Sequence, residues 1–329
     1  MTKKILVTGG AGFIGSNTIK LLMEVGWSII CVDDFSAGDA LRLKALNPTY
    51  CPPGASSQFI TQNLFSKKLI VMTSDFANQT VLDMILEKNF AAVIHCAANP
   101  SVPMSVKYPI ETFENNVYKT QILAIACAKS KTRLVFSSSS AVYGDTANFP
   151  TDEFDKCNPV SPYGLQKLQC EQLIQLYSKL YKLDAYCLRY FNVYGPGQDG
   201  ASGYCTLIAR WCESVKSGTA AIIEGSGEAK RDFIYVGDVA KANVMAALTP
   251  NKSQNYPINI CSGKAYSINE IQKKFINRQP YHIFSREYDR IGDAKMTLGN
   301  PSRAKNLLDF QADVELDEGL KCTFESWGI

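Results

Sequence analysis

The feature that most constrains the fold is a short apolar segment that leads through a glycine-rich turn into a helical pattern. The apolar segment is Lys4-Ile-Leu-Val-Thr8, and the turn is Gly9-Gly-Ala-Gly-Phe-Ile-Gly15. The helical pattern runs from Ser16 to Val25 and is followed by Gly26. A strand joined to a helix by so tight a turn is the opening unit of a parallel sheet covered by helices. The sequence therefore predicts an α/β fold.

The turn also has the spacing of a dinucleotide-binding motif. Gly10 and Gly12 would let the main chain turn and approach a pyrophosphate closely, and Gly15 would let the helix pack against the strand. The N-terminus of the helix would then face the negative phosphates. The predicted cofactor site in this turn consists of Gly9, Gly12, Phe13, Ile14 and Gly15. The alternative is a glycine turn that holds no ligand.

The next apolar run, Ile29-Ile-Cys-Val-Asp33, ends in an acid about 20 residues after the glycines, where such sites hold the adenosine ribose. A carboxylate there can accept hydrogen bonds from both ribose hydroxyls and would repel a 2′-phosphate. We therefore predict NAD, not NADP, as the cofactor. Because strand, turn, helix and acid occur together, the alternative without a ligand loses support.

Apolar runs and helical patterns alternate as far as Tyr190. Strands are predicted at Lys4 to Thr8, Ile29 to Asp33, Leu69 to Thr73, Ala92 to Ala97, Leu134 to Ser138 and Ala185 to Tyr190. Further helices are predicted at Thr80 to Glu87, Ile110 to Ser130 and Tyr163 to Tyr181. Strands interleaved with helices form a doubly wound parallel sheet, the Rossmann fold, which we place in residues 1–190. Residues 47–57 carry three prolines and are interpreted as a surface excursion.

The pattern changes after Phe191, where Gly195-Pro-Gly-Gln-Asp-Gly200 and Gly225-Ser-Gly-Glu228 interrupt it. We predict that residues 191–329 form a smaller C-terminal α/β lobe, with part of residues 232–262 returning to the Rossmann domain. Ligands of open sheets lie beyond the carboxyl ends of the strands, so the substrate is expected between the sheet and this lobe.

The charge balance and the cysteine content disfavour several classes of protein. Lysine and arginine number 34 against 31 aspartates and glutamates, so neither nucleic acid nor a membrane surface is a predicted partner. No apolar run approaches the ~20 residues of a membrane span, and no targeting segment is expected. The eleven cysteines lack Cys-x-x-Cys spacing, which is typical of reduced thiols in a cytoplasmic protein. With only two histidines, a metal site or a Ser-His-Asp triad has little support.

Tyr163 and Lys167 are four residues apart in a predicted helix, so both side chains leave the same face. An unperturbed tyrosine titrates near ~10, and a neighbouring cation favours the phenolate. The pair is therefore a candidate proton acceptor near neutral pH. The spacing alone is common, and the alternative is an exposed helix face with an unrelated tyrosine.

A run of hydroxyls, Ser137-Ser-Ser-Ser140, ends a predicted central strand. At least one of them is expected beside the nicotinamide of the cofactor, where it can hydrogen-bond the substrate oxygen that exchanges a proton. We assign this role to Ser139. The alternative is a serine turn that hydrogen-bonds its own backbone.

Further motifs extend the pattern over nearly the whole chain. They include His95-Cys-Ala-Ala98, Asn115-Asn-Val117, Ser137-Ser-Ser-Ser-Ala-Val-Tyr-Gly144, Arg189-Tyr-Phe-Asn-Val-Tyr-Gly-Pro196 and Arg231-Asp-Phe-Ile-Tyr-Val236. Together with the glycine turn, Asp33 and the Tyr163/Lys167 pair, they resemble the extended short-chain dehydrogenases. Within that group they resemble the NAD-dependent nucleotide-sugar epimerases and dehydratases, in particular the UDP-sugar 4-epimerases.

The resemblance implies roles for individual residues. Tyr163 would be the catalytic base, Lys167 would bind the nicotinamide ribose and tune the tyrosine, and Ser139 would hold the sugar hydroxyl. Asp75 and Phe76 would flank the adenine, and Ala97 would add a further cofactor contact. The nucleotide-sugar substrate would be held by Ser139, Ser140, Asn192, Arg231, Arg290, Asp293 and Thr297. Of these, Asn192 would bind the diphosphate, the two arginines would clamp it, and Asp293 would meet the nucleoside ribose.

In the resembled family a sugar carbon is oxidised by hydride transfer to NAD while the tyrosine takes the hydroxyl proton. Dehydratases and decarboxylases carry an acid just before the Val-Tyr-Gly of the serine strand, where this chain has Ala141. An alanine can neither accept nor donate a proton. We therefore predict a UDP-sugar 4-epimerase, in which the 4-keto sugar turns over and takes the hydride back on its other face. Because NAD is regenerated in each cycle, we expect it to stay bound.

Two alternatives remain. One is a nucleotide-sugar dehydratase or decarboxylase, against which Ala141 argues. The other is a non-catalytic NAD-sensing binding protein, since a fold does not dictate a function. Such a protein would have no use for the set of Ser139, Tyr163 and Lys167.

The resemblance also implies a homodimer and a substrate preference. Helices 110–130 and 163–181 would pair between subunits, since Ile122-Leu-Ala-Ile-Ala-Cys-Ala128 has more apolar side chains than one sheet face can cover. Thr297, four positions after Asp293, would line the pocket near C2 of the sugar, where a tyrosine excludes an N-acetyl group. We therefore expect UDP-N-acetylglucosamine and UDP-N-acetylgalactosamine to interconvert at least as well as UDP-glucose and UDP-galactose. The alternative is that Thr297 merely packs in the lobe.

Overall fold

The computed structural model describes residues 4–200, 206–250, 256–288 and 295–329, so Arg290 and Asp293 lie outside the described residues. The strands are β1 (Lys4–Thr8), β2 (Ser28–Asp33), β3 (Thr49–Tyr50), β4 (Leu69–Thr73), β5 (Phe90–His95), β6 (Arg133–Ser139), β7 (Ala185–Tyr190), β8 (Asn192–Tyr194), β9 (Ala221–Glu224), β10 (Lys230–Tyr235), β11 (Ile258–Ile260), β12 (Ala265–Ser267) and β13 (Phe284–Glu287). The α-helices are α1 (Phe13–Glu24), α2 (Leu41–Lys44), α3 (Ser57–Asn63), α4 (Gln79–Leu86), α5 (Val102–Lys107), α6 (Pro109–Phe113), α7 (Lys119–Ser130), α8 (Pro162–Tyr181), α9 (Leu207–Ser217), α10 (Val236–Leu248), α11 (Ile268–Arg278), α12 (Ser302–Leu308) and α13 (Leu316–Trp327).

In the described part of the chain, eight strands form a large parallel sheet in the order β11-β7-β6-β5-β1-β2-β4-β3. Within β1, Ile5 and Val7 face one layer of helices and Leu6 faces the other, as the two-residue period of a strand requires. One layer contains α1, α10 and α12, and the other contains α4, α7 and α8. The predicted doubly wound parallel sheet is confirmed.

The direction of winding reverses between β1 and β5. From β1 the chain forms β2 and then the edge strand β3, returns to form β4 between these two, and crosses to β5 on the other side of β1. An open parallel sheet binds ligands at such a switch point, beyond the carboxyl ends of its strands. The glycine turn follows β1, Ala97 follows β5, and Ser139 ends β6. The sheet therefore brings predicted cofactor and catalytic residues to one edge.

Much of the C-terminal part forms a smaller lobe. Strands β8, β10 and β12 make a three-stranded sheet, and β9 pairs with β13. Helices α9, α11 and α13 enclose an aromatic core that includes Trp211, Phe275 and Phe324. In contrast, α10 packs on α1 and β11 adds to the large sheet beside β7.

The interpretation of residues 47–57 as a surface excursion is wrong in part. Thr49–Tyr50 forms β3, which pairs with β4 at the edge of the large sheet, and Ser57 begins α3. A strand of two residues is too short to show a period. Its conformation depends on pairing with β4, which no local pattern encodes.

The predicted helix 110–130 contains a π-helical turn. Helix α6 continues through the π-helical residues Glu114–Tyr118 into α7. Such a turn holds one residue more than an α-helical turn, and Asn116 within it is buried. Its carboxamide bonds both the N–H and the carbonyl oxygen of Asn99, and also Gln166. The π turn thus connects the segment after β5 with α8.

An ion pair between Glu171 on α8 and Arg189 on β7 is buried, with side chains 1% and 4% exposed. The guanidinium donates through Nε and Nη2 to the carboxylate oxygens at 2.9 and 2.6 Å. Ser138 on β6 donates its hydroxyl to the same carboxylate at 2.5 Å. Because buried charges are tolerated only when they are paired, this cluster fixes α8 against β6 and β7.

We predict that Arg189→Met destabilises the protein by about 3–5 kcal/mol, because it leaves the Glu171 carboxylate buried without a partner. Urea unfolding at a fixed NAD concentration measures the loss. The double variant Glu171→Leu/Arg189→Met should regain part of it, since no lone charge remains. Lys305→Met, which breaks the exposed pair of Lys305 with Asp309, should have little effect. An Arg189→Met protein as stable as Lys305→Met would contradict this account.

Candidate active site

The glycine turn is packed so closely that side chains cannot be added at two of its positions. A Cβ on Gly15 would lie 2.1 Å from the carbonyl oxygen of Gly9, and a Cβ on Gly9 would lie 2.6 Å from the nitrogen of Ala97. Gly9 also has a φ of 65°, in the left-handed region that favours glycine. The turn is therefore held against both α1 and the segment after β5.

Gly12 leaves the start of α1 open. It is the N-cap of this twelve-residue helix, and it provides no side-chain cap for the first amides. A Cβ placed there would meet only the carbonyl oxygen of Gly9, at 3.1 Å. An uncapped helix N-terminus reached through a glycine surface fits a pyrophosphate, because the amides and the helix dipole both favour negative charge. Phe13 and Ile14 lie in this first turn.

Asp33 at the end of β2 stabilises the glycine turn through its carboxylate. Its carboxylate accepts hydrogen bonds from the amides of Ala11 at 2.9 Å and of Phe35 at 2.8 Å. Burial raises the pKa of Asp33, while these two amides and the charge of Arg42 act in the opposite direction. Each carboxylate oxygen has two lone pairs, so the group can still accept from a ribose hydroxyl. The arrangement fits the adenosine end of NAD.

The structure gives Asp75 and Phe76 different surroundings. Asp75 is partly exposed, accepts from the amide of Ala77 and pairs with Lys119 at 2.5 Å. The ring of Phe76 is buried against the His95 ring, with centroids 4.7 Å apart. Because the ring of Phe76 is buried, its main chain is the part available to flank an adenine, and the adenine contact of Asp75 and Phe76 stays a prediction.

His95 belongs to the core. Its two ring nitrogens bond the hydroxyls of Thr8 at 2.6 Å and Thr120 at 2.9 Å. Burial, together with the charge of Lys167, lowers the pKa of His95 to about 3. The imidazole therefore stays neutral. Its two hydrogen bonds link β5 to β1 and to α7.

Helix α8 brings Tyr163 and Lys167 to the same edge of the sheet. The Ser161 hydroxyl caps the helix by accepting from the amide of Gly164, and Pro162 starts it. Both Tyr163 and Lys167 are buried, and the Lys167 ammonium lies 5.8 Å from the centre of the Tyr163 ring. The ammonium donates to the carbonyl oxygen of Ser137 at 2.7 Å. Burial lowers the pKa of Lys167.

The three serines of β6 have different partners. Ser137 bonds Tyr190 and Cys96 inside the core, and Ser138 bonds Glu171. Ser139 is half-buried, and its hydroxyl accepts from the amide of Ala141 at 3.2 Å. A hydroxyl that accepts this bond keeps its proton to donate and one lone pair to accept. Of the three, Ser139 is therefore the one best placed to meet a substrate.

A glycine lets α8 approach the turn that follows Ser139. A Cβ on Gly164 would lie 2.5 Å from the carbonyl oxygen of Ala141. Residues Ser140–Val142 form a short 3₁₀ turn in this place. Close packing of α8 on this turn brings the segment of Tyr163 next to the segment of Ser139 and Ser140.

Asn192 and Thr297 form one hydrogen-bonded unit. The amide nitrogen of Asn192 donates to the carbonyl oxygen of Asp232 at 3.2 Å and to Thr297 Oγ1 at 2.9 Å. Thr297 Oγ1 also accepts from the amide of Asp232 at 3.2 Å. A carbonyl oxygen can only accept, which fixes the orientation of the carboxamide. Both amide hydrogens are then used, and the side chain offers only its oxygen to a ligand.

A diphosphate accepts hydrogen bonds, so Asn192 could bind it only by exchanging one of these two partners, and its role stays a prediction. The binding of anionic groups would fall to Arg231, which is half-buried on β10. The predicted partners Arg290 and Asp293 lie outside the described residues.

Sequence reasoning missed three contributors to the site. Glu171 lies four residues after Lys167, and this spacing could have indicated a second polar position on the same face of α8. The link between Thr297 and Asn192 joins residues more than a hundred positions apart. Arg42, which contacts the glycine turn, carries no sequence signal.

Within the ranges that the structure describes, no three histidine, cysteine, aspartate or glutamate side chains are grouped as metal ligands would be. Nor does any α-helix in those ranges have the length and apolar character needed to cross a membrane.

The chain is similar to known proteins over most of its length. Residues 5–261 match the profile described as the NAD dependent epimerase/dehydratase family. The UDP-glucose 4-epimerase of Bos taurus is 32% identical over 340 residues, which cover 96% of this chain and 94% of that protein. The UDP-glucose 4-epimerase of Thermotoga maritima, solved with UDP-glucose, superposes with a TM-score of 0.86 at 30% identity, covering 99% of this chain and 98% of that one. The UDP-N-acetylglucosamine 4-epimerase of Methanobrevibacter ruminantium M1, solved with UDP-N-acetylmuramic acid, has the same TM-score and coverages at 33% identity.

Proposed function

The chain belongs to the NAD-dependent epimerase/dehydratase family, and on this basis we propose that it is a 4-epimerase of UDP-sugars. The observation that carries the proposal is that Tyr163 and Lys167 share one face of α8, and that α8 packs on the turn after Ser139 at the carboxyl end of β6. A proton acceptor, a cation and a hydroxyl that can still donate its proton are the groups that oxidation of a secondary alcohol requires.

In the proposed reaction, Tyr163 takes the proton of the C4 hydroxyl on its phenolic oxygen, while Ser139 Oγ holds the same substrate oxygen. NAD, when bound, would supply the acceptor for the hydride of C4 and the donor for its return. Lys167 favours the phenolate by its charge. Its hydrogen bond to the carbonyl oxygen of Ser137 keeps the ammonium beside Tyr163. After the sugar turns over, Tyr163 gives the proton back to the new hydroxyl.

Ala141 distinguishes epimerisation from the loss of water. The main chain of Ala141 bonds Ser139 and packs against Gly164, and its methyl group can neither accept nor donate a proton. Elimination from the neighbouring sugar carbons needs both operations. This favours the epimerase over the dehydratase and decarboxylase alternatives.

Incubation with a panel of UDP-hexoses, followed through the anomeric proton signals by NMR, tests the function. We expect each active substrate to reach a mixture with its C4 epimer without added NAD. Formation of a 4-keto-6-deoxy sugar would establish the dehydratase instead. A protein that binds NAD but converts no UDP-sugar would support the sensing alternative.

We propose that the N-acetylated pair is interconverted at least as well as UDP-glucose and UDP-galactose. Thr297 is much smaller than a tyrosine and is half-buried, and its Oγ1 accepts a hydrogen bond from Asn192. A relative with the same fold is named for UDP-N-acetylglucosamine. We propose that the space beside Thr297 admits the N-acetyl group at C2.

We predict that Tyr163→Phe lowers kcat by about 10²–10⁴-fold, the usual worth of general-base assistance. The Kd of UDP should change little, because the variant loses a proton acceptor and no binding group of the nucleotide. Kinetics and calorimetry of the NAD-loaded variant measure both quantities. Tyr181→Phe, at the exposed end of the same helix, serves as the control. A Tyr163→Phe protein within about tenfold of wild type would remove this residue from the mechanism.

We predict that Thr297→Tyr lowers kcat/KM for the N-acetylated pair at least about tenfold more than for UDP-glucose and UDP-galactose. The ring would fill the space that the N-acetyl group needs. Thr297→Val controls for the hydroxyl, because it breaks the bonds to Asn192 and Asp232 without adding a ring. Equal losses for both pairs in the tyrosine variant would show that Thr297 only holds the lobe together.

We also propose a homodimer through α8 and the helical segment of residues 109–130. The sequence prediction rests on the apolar run 122–128. This run is mostly buried within the subunit, because the sheet, α4 and α8 all pack on α7. The apolar content of residues 122–128 therefore gives no support for a dimer, and the argument from it is wrong. The exposed apolar side chains of these segments include Ile110, Phe113, Leu165, Leu176 and Leu180. On α8 the three leucines lie on one stripe, since their spacings of eleven and four residues are close to whole turns.

Leu176→Lys should shift the protein toward monomer at micromolar concentration, because it places a charge within the apolar stripe. Light scattering measures the mass. Tyr281→Lys, at a fully exposed position of the lobe, should leave the mass unchanged. A wild-type protein that is monomeric at this concentration would refute the proposal.

A further inference from the structure

Arg42 lies on α2, outside every predicted site, and its side chain connects two separate parts of the fold. Its Nε donates to the carbonyl oxygen of Gly197 at 2.9 Å, and its Nη1 donates to that of Ala11 at 3.1 Å. Ala11 belongs to the glycine turn. Gly197 belongs to the loop 195–200, which follows β8 of the lobe.

The main-chain amide and carbonyl groups of Ala11 are hydrogen-bonded to two side chains of opposite charge. Asp33 accepts from its amide, and Arg42 donates to its carbonyl oxygen, which also accepts from the amide of Asp39. Hydrogen bonds with a charged partner are stronger than those between neutral groups. The conformation of the glycine turn therefore depends on Arg42 as well as on the glycines.

A second side chain ties the loop 195–200 to the cofactor helix. Asn17 on α1 donates to the carbonyl oxygens of Phe13 at 2.9 Å and of Pro196 at 3.4 Å. Gly197 has a φ of 88°, which most residues avoid. The main chain of the loop thus follows a path on which the carbonyl oxygens of Pro196 and Gly197 accept from Asn17 on α1 and from Arg42 on α2.

We propose that Arg42 is a positioning residue that couples the glycine turn to the loop 195–200, so that a nucleotide held by the lobe slows the release of NAD. A single guanidinium restrains both segments, and an ordered loop therefore restrains the turn. Such coupling is reciprocal, so NAD would equally tighten the binding of the nucleotide. The choice of UDP as that nucleotide rests on the proposed function.

A lysine at this position would not replace the arginine. The guanidinium presents several N–H groups in a fixed planar fork, whereas an ammonium is a point charge on a flexible chain. Here two different N–H groups of one side chain serve two carbonyl oxygens. Arg42→Lys keeps the charge but not this geometry, and Arg42→Met removes both.

The test follows the exchange of bound NAD for radiolabelled NAD in the purified holoprotein, with and without saturating UDP. In wild type we expect UDP to slow exchange at least about tenfold, within the usual range of coupling between sites. In Arg42→Met, exchange without UDP should be at least about tenfold faster than in wild type, and UDP should change it by less than about twofold. Arg42→Lys should also lose the UDP effect. Lys44→Met, which removes an exposed charge from the same helix, should behave as wild type.

Three results would overturn the proposal: no UDP effect in wild type, a full UDP effect in Arg42→Met, or unchanged exchange in that variant without UDP. A purely structural role for Arg42 would speed exchange but leave the UDP effect intact. The assay reads bound cofactor and not turnover, so it decides the question even for a protein that epimerises no UDP-sugar. If calorimetry shows that UDP does not bind, the proposed substrate class fails. The comparison without UDP then still decides whether Arg42 holds the turn.

Discussion

The position of helix α8, which carries the proposed base Tyr163, depends on the buried ion pair between Glu171 and Arg189. Lys167 and Glu171 are separated by just over one helical turn, so the ammonium that reaches Ser137 and the carboxylate that reaches Ser138 lie on one face of α8. Two charges removed from water are stable only in an arrangement that pairs them well. The register of α8 on the sheet, and with it the place of Tyr163 relative to Ser139, is therefore set by electrostatics as well as by apolar packing.

The carboxyl edge of the sheet is assembled by close approaches of main chain to main chain. Gly15 packs directly on the carbonyl oxygen of Gly9, and Gly9 packs on the main chain of Ala97. Gly164 packs in the same way on the carbonyl oxygen of Ala141. In each place a Cβ would lie nearer than atoms tolerate. Glycine thus permits close packing both at the turn before α1 and at the start of α8, and it leaves no side chain at the N-cap of α1.

The polar groups available for chemistry are those that the core does not use. The hydroxyls of Ser137 and Ser138 and both nitrogens of His95 are consumed by buried hydrogen bonds, and such groups rarely go unpaired. Ser139 keeps capacity for a ligand, and Asn192 keeps only its carbonyl oxygen. Polar atoms without a full set of partners in the protein can bind a substrate, whereas the fully bonded ones hold their motif in place.

The sequence by itself determined whatever depends on near neighbours in the chain. Apolar runs located six strands of the large sheet, but neither the two-residue β3 nor the three-residue β11. The glycine spacing indicated the turn and its helix, and the spacing of Tyr163 and Lys167 put both on one helical face. Only the tertiary structure decided that the Phe76 ring belongs to the core, that Asn192 presents an acceptor, and that Arg42 connects the glycine turn to the loop 195–200. Burial and the direction of a hydrogen bond depend on partners that are distant in sequence, and no local pattern specifies them.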